Sequence, residues 1–127
     1  MKNISIVTGK KIEFVDITGK INQAIDFEQG AALIFTPHTT CALSLNENET
    51  GLVSDMERFV ESLVPPGNYL HDRIDNNAQS HLASLCFEHS LVLPVKDGRA
   101  ALGTWQSVFL VELDGPRTRS VSVGSIT

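Results

Sequence analysis

Between Trp105 and Leu113 the chain is apolar on both parities, with Trp105, Phe109 and Val111 on one and Val108 and Leu110 on the other. Strand side chains alternate between two faces. A strand greasy on both faces must therefore be covered on both, by a second sheet or by another subunit. Its neighbours complete a three-strand pattern. Leu91-Val92-Leu93-Pro94-Val95 leads to the turn Lys96-Asp97-Gly98-Arg99, and after Trp105–Leu113 the turn Asp114-Gly115-Pro116 leads into Arg117–Ile126.

Upstream, Ile4, Ile6 and then Ile12, Phe14 and Val15 flank Gly9-Lys10, which predicts an opening β-hairpin. Thr18 starts a helix with an Ile21, Ala24, Ile25 stripe, and Gly30 stands where a C-terminal cap belongs. Ala31–Phe35 is a continuous apolar run, the pattern of a strand buried on both faces, ending at Pro37. From Thr39 the pattern alternates, with Cys41, Leu43 and Leu45 toward the core. A strand beginning at His38 puts its imidazole on the polar face with Thr40, Ser44 and Asn46, away from Cys41, so a Cys41–His38 nucleophile pair is rejected. Leu52, Met56, Phe59, Val60 and Leu63 recur at helical spacing, predicting a helix over 50–63 stopped by Pro65-Pro66. Residues 67–77 read as a loop. Asn76 or Asn77 then caps a third helix with Ala78, Leu82 and Leu85 on its buried side.

A chain of 127 residues, 42% hydrophobic, makes one domain with a core that needs no staples. Two cysteines, Cys41 and Cys86, are too few for a disulfide framework and fit reduced thiols. No apolar run reaches membrane-spanning length, and MKNISIVTGKKIEF has no signal-peptide core, so a soluble, cytoplasmic protein without a membrane partner is expected. The net charge of −5 argues against nucleic acid as a partner. The excess acid sits in the first half, while the second half carries Arg73, Arg99, Arg117 and Arg119. Arginine suits bidentate contact with phosphate or carboxylate, so a small anion can be held locally.

Chemistry concentrates in two places. His38, His71 and His81 fall in polar segments beside Thr39, Thr40, Asn46, Glu47 and Asp72. Three imidazoles suit a divalent ion such as zinc with one open position, or acid–base work, with Glu47 and Asp72 as orienting or proton-carrying groups. The spacing is not that of a local metal motif, so the three must converge by folding. His89, between a helix end and a strand, has a structural explanation and is set aside. The second place is Asp97–Gln106. There Arg99, Thr104 and Gln106, with amides near Gly103, are expected to hold a phosphate close to the histidines. Trp105 either stacks on a flat heterocycle or packs in the core. No P-loop or dinucleotide fingerprint is present.

His38-Thr39-Thr40-x-Ala42-Leu43 with Asn46-Glu47, Tyr69-x-His71-Asp72, Asn77-Ala78-x-x-His81, Leu102-Gly103-Thr104-Trp105-Gln106 and Glu112-x-Asp114-Gly115-Pro116-Arg117 occur in that order. Together they resemble the small-protein family named for secondary thiamine-phosphate synthase activity, over nearly the whole chain. Glu49-Thr50-Gly51 departs from the family's usual Ala-Asp-Pro, and His89 is not a family feature. The resemblance implies a homotrimer with sites near subunit contacts and a possible metal, Zn or Mg, on His38, His71 and His81. It also implies a transferase joining a pyrimidine pyrophosphate to a thiazole phosphate. The expected architecture is a single α+β domain, 1–127, with antiparallel or mixed sheets in a sandwich-like core flanked by three helices. The catalytic candidates are His38, Glu47, His71 and His81. The substrate candidates are Thr39, Thr40, Asn46, Arg99, Thr104, Trp105 and Gln106. Two other functions use the same residues: a metal-dependent hydrolase of a phosphorylated metabolite with Glu47 as base, or a non-catalytic trimeric metal- or anion-binding protein.

Overall fold

The computed structural model describes residues 1–126. In chain order its elements are β1 Lys2–Val7, β2 Glu13–Asp16, α1 Thr18–Ala24, β3 Gln29–Phe35, β4 Cys41–Asn46 and α2 Thr50–Leu63. A single 3₁₀ turn at Leu70–Arg73 follows, then α3 Ala78–Ser84, β5 Ser90–Lys96, β6 Arg99–Ala100, β7 Ser107–Glu112 and β8 Thr118–Ile126. The strands form two antiparallel sheets, one ordered β1-β8-β3-β5-β6 and the other β2-β7-β4.

The two-faced apolar strand is the middle of the smaller sheet. Val108 and Leu110 face the larger sheet, where they join Ile6, Ala32, Ile34, Leu93, Val95, Val121 and Val123, with Ile17 and Ile21 of the α1 region closing one end. Phe109 and Val111 face the other way, onto Val60 of α2 and Ala83 of α3. Phe109 also meets Phe14 edge-on at 5.7 Å between ring centroids. Both coverings come from within the chain. β7 is thus no sign of a subunit contact, which removes one of the two reasons for expecting a trimer. The α+β sandwich with three helices stands, and its sheets are antiparallel throughout.

Several local expectations change. The opening hairpin does not form: β1 pairs with β8 and β2 with β7, so the chain crosses between sheets over Thr8–Ile12. The Gly9 amide is held by the Glu13 carboxylate at 2.7 Å, not by a facing strand. Gly30 is not a helix cap; it lies within β3 at φ +133°, a conformation open to glycine. β3 is covered on one face only, with Ala32 and Ile34 buried and Phe35 exposed, although it lies between β8 and β5. On α3 the buried residues are Ala78, Ser80, Ala83 and Ser84, whereas Leu82 and Leu85 turn outward. Small side chains let α3 lie close on the end of β7, where the Ser80 hydroxyl donates to the Leu113 carbonyl at 2.7 Å.

Other expectations hold. α2 spans the predicted residues, and the Glu49 carboxylate caps it by accepting from the Gly51 and Leu52 amides. Asp97-Gly98 makes the β5–β6 turn with both φ positive. Gly115 admits no side chain, since a Cβ there would stand 2.1 Å from the Lys10 carbonyl oxygen. Among the described residues no helix is long and apolar enough to cross a membrane.

Candidate functional site

β3 belongs to the larger sheet and β4 to the smaller, so Thr36–Thr40 must cross from one to the other. His38 rides on that crossing loop, not on a strand, because β4 begins only at Cys41. The loop is tied down by a consequence of sheet register. β3 pairs with β8 only as far as Phe35 opposite Ser122, which leaves the Ser120 peptide groups without a β3 partner. Loop side chains satisfy them: the Ser120 carbonyl accepts from Thr36 Oγ1 at 3.1 Å, and the Ser120 amide donates to His38 Nε2 at 3.0 Å.

That last bond decides the state of the ring. Burial first, and then the Arg119 charge, hold His38 below its ordinary pKa of 6.5, so it is neutral near pH 7. A neutral imidazole that accepts at Nε2 carries its proton on Nδ1. His38 therefore offers a ligand an N–H and no lone pair.

His71 is set the opposite way. The Asp114 carboxylate accepts from Asn77 Nδ2 at 2.9 Å, which turns Asn77 Oδ1 toward His71 Nε2, also at 2.9 Å. A carbonyl oxygen can only accept, so His71 carries a proton on Nε2. Asp114 is ionised throughout the ordinary range. Burial alone would raise its pKa, but bonds from Asn77, Lys11 and Arg117 outweigh that and bring it from 3.8 to about 2. His81, on α3, packs against His71 edge to face, with ring centroids 4.6 Å apart.

His38, Thr39 and His81 line one cleft of about 560 Å³ together with Phe35, Thr36, Pro37, Leu82, Ser84, Leu85 and His89. The leucines expected in the core instead form its apolar wall, Leu85 being 80% exposed. His89, set aside from the sequence, belongs to this rim, with Nε2 2.7 Å from Ser84 Oγ. Asp72 does not orient a histidine; its carboxylate accepts from the Ala78 amide and so starts α3. Asn77 and Asp114 take the orienting role, and both stood within quoted motifs.

Thr40 is not a substrate contact, because it is buried beneath Arg119, which donates to both its carbonyl and its hydroxyl. Arg119 in turn forks onto Glu112, a carboxylate with no exposed surface. Burial would raise Glu112, but bonds from Arg119, Thr8 and the Asp114 amide hold it below its ordinary range.

The remaining candidates lie elsewhere. Glu47, Thr104, Trp105 and Gln106 line a second cleft of about 440 Å³ with Asn48, Glu49, Thr50 and Ser107. It sits where Asn46, at the end of β4, pairs with Ser107 at the start of β7. The histidine cleft adjoins the other end of β4, and six strand residues separate the two by about 17 Å. Glu47 is thus not a base for His38 within one chain. The Asn46 side chain is engaged with the Glu47 amide, and the Gln106 carbonyl with the Gly103 amide. Trp105 is 72% exposed and lies outside both β7 and the core. Arg99 pairs with Lys96 at the edge of the larger sheet and lines neither cleft. The expected phosphate pocket of Arg99, Thr104 and Gln106 beside the histidines does not assemble.

Nor do His38, His71 and His81 form one donor set. Among the described residues no three His, Cys, Asp or Glu side chains are grouped to hold a metal ion, and the free nitrogen of His38 bears a proton. Cys41 is buried with its thiol pKa pushed up by burial, which agrees with its exclusion as a nucleophile.

Comparison with known proteins places the chain. Residues 2–127 match the family described as UPF0047 protein YjbQ-like. The chain belongs to the YjbQ/UPF0047 family. It is 45% identical to a UPF0047 protein of Archaeoglobus fulgidus over 97% of this chain and 98% of that one. It is 36% identical to the UPF0047 protein YugU of Bacillus subtilis over 94% of each. A protein of unknown function from Sulfolobus solfataricus superposes with a TM-score of 0.90 at 38% identity, covering 96% of this chain and 92% of the other. A YjbQ/UPF0047 protein from Clostridium acetobutylicum does so at 0.91 and 30%, covering 99% and 100%. The α+β fold is that of the YjbQ/UPF0047 family.

The Asp114 pKa sets a stability window. Its folded value lies below the ordinary one, so its contribution is full above about pH 4 and is lost as pH falls toward about 2. The carboxylate is only 10% exposed, and the shift corresponds to about 2 kcal/mol. In urea unfolding, the stability gap between wild type and Asp114→Asn is expected to be near that size at neutral pH and to close toward pH 2. A gap that stays constant would contradict the relay.

Proposed function

We propose that the histidine cleft is the active site of an enzyme acting on a small, ring-bearing phosphorylated substrate, with the histidines as hydrogen-bonding groups. The observation that carries this is one apolar cleft lined by both His38, fixed as a donor, and His81, with His71 packed edge to face against His81. An apolar wall of Phe35, Pro37, Leu82 and Leu85 suits a flat ring, and the histidines supply polar contacts at its edge.

The specific reaction favoured is the one implied by the family resemblance, thiamine-phosphate synthesis. The thiazole nitrogen donates its electron pair to the methylene carbon of the pyrimidine pyrophosphate. The carbon–oxygen bond breaks, and pyrophosphate departs with that electron pair. No proton is gained or lost overall, so the step asks for alignment of two rings and for donors on the departing oxygen. His38 supplies one such donor at Nδ1, and His81, which lines the same cleft, contacts the other reactant.

Incubating the purified protein with the two precursors is expected to yield thiamine phosphate and pyrophosphate. His38→Ala and His81→Ala are each expected to lower the rate by about 100-fold or more. No product above the protein-free control, or equal rates in wild type and both variants, would overturn the assignment.

The same proposal includes assembly as a homotrimer. Besides the family resemblance, its support is the apolar surface left bare on the larger sheet by Phe35, Val92 and Ile126. Sedimentation equilibrium at micromolar concentration is expected to return three times the mass of the 13.9 kDa chain. A stable monomer would exclude it.

A further inference from the structure

We propose that Arg119 is a positioning residue for His38, clamping the crossing loop so that the Ser120 amide meets His38 Nε2 and the ring is held as its Nδ1–H form. This rests on the donor role given to His38 in the cleft above, and it names the buried group that sets that donor.

The clamp joins four parts of the chain. Arg119 Nε donates to Glu112 Oε1 and Oε2 at 2.9 and 3.2 Å, and one terminal nitrogen donates to Glu112 and to the Thr40 carbonyl and hydroxyl at 3.0 and 2.9 Å. Thr8 Oγ1 donates to Glu112 Oε1 at 2.7 Å and accepts from the Arg117 amide at 2.9 Å. The Leu113 and Asp114 amides donate to Glu112 Oε2, and the Leu113 amide also lies 3.2 Å from the Thr40 carbonyl. Among the described residues no fully buried side-chain nitrogen or oxygen lacks a partner.

Two features make this positioning more than packing. First, the loop is held at both ends by adjacent residues of β8, with Arg119 fastening Thr40 and Ser120 fastening Thr36 and His38. Any slackening at Thr40 is passed along two residues to the imidazole. Second, the grip depends on shape as well as charge. The planar guanidinium reaches a carboxylate and a hydroxyl at once, whereas a lysine ammonium can keep the charge on Glu112 without reproducing the fork.

The test is nuclear magnetic resonance of the full-length protein carrying ¹⁵N-labelled histidine, with the His38 ring identified by its loss in His38→Gln. In wild type, His38 is expected to show a single neutral form protonated at Nδ1. In Arg119→Lys and in Thr40→Val it is expected to become a mixture protonated at either nitrogen. Thr40→Ser, which keeps the hydroxyl, is expected to restore the single form. Formation of thiamine phosphate should follow the same order, falling about tenfold or more in the first two variants and recovering in the third.

Protonation of wild-type His38 at Nε2, or retention of the single Nδ1–H form in both Arg119→Lys and Thr40→Val, would overturn the proposal. Should Arg119→Lys fail to fold, Thr40→Val alone decides, since it removes one hydroxyl of the same volume. Absence of product in wild type, with the ring behaving as expected, would reject the reaction while leaving the clamp established.

Discussion

The ion pair between Glu112 and Arg119 is the interaction on which the rest of this structure turns. Glu112 ends β7 of the smaller sheet and Arg119 is the second residue of β8 of the larger, so the pair spans the two layers. Its side chains are 0% and 4% exposed. Two charges out of water are tolerable only when paired and fully hydrogen-bonded. Here every lone pair of the carboxylate is engaged, by Arg119, by Thr8 and by the Leu113 and Asp114 amides. Losing one partner of such a pair typically costs about 3–5 kcal/mol, because the other is left charged and buried. A hydrophobic pair could fill the same volume, but it would bind neither Thr40 nor the turn at Asp114. Those two attachments lead to His38 on one side and, through Asn77, to His71 on the other.

The site is therefore a property of the junction between layers. β3 must leave the larger sheet for β4 to join the smaller one, and the crossing exposes the Ser120 peptide groups that His38 and Thr36 satisfy. On the far side, the tight turn through Asp114 and Gly115 delivers an ionised carboxylate to Asn77. Each imidazole has its Nε2 engaged by the scaffold. That is how a sandwich with ordinary apolar packing holds His38 at an apolar cleft and His71 against His81.

How much of this was legible in the residues divides along physical lines. Features set by local periodicity were readable, including the two-sided strand at Val108–Val111, the helix at Thr50–Leu63, the Asp97-Gly98 turn and the inward face of Cys41 and Leu43. Features set by which strand pairs with which were not. Gly9-Lys10 looks like a hairpin turn, yet β1 and β2 belong to different sheets, since each finds a longer partner late in the chain. Leu82 and Leu85 read as core because their spacing fits a buried stripe, but close docking of α3 selected its small residues. The histidines were found by residue type alone. Arg119 and Glu112 were missed as site residues because nothing in a sequence says that a charge will be buried. Arg99 and Gln106 were assigned to an anion pocket by adjacency in the chain, and the sheet then carried them away from the histidines.

The central claim is that the scaffold engages His38 through an accepting Nε2 and His71 through a donating Nε2, and neutron diffraction from the deuterated protein near neutral pH tests it most directly. The account predicts nuclear density for a deuteron on Nδ1 of His38 and none on its Nε2, with a deuteron on Nε2 of His71. Density on Nε2 of His38, or on Nδ1 alone of His71, would contradict it.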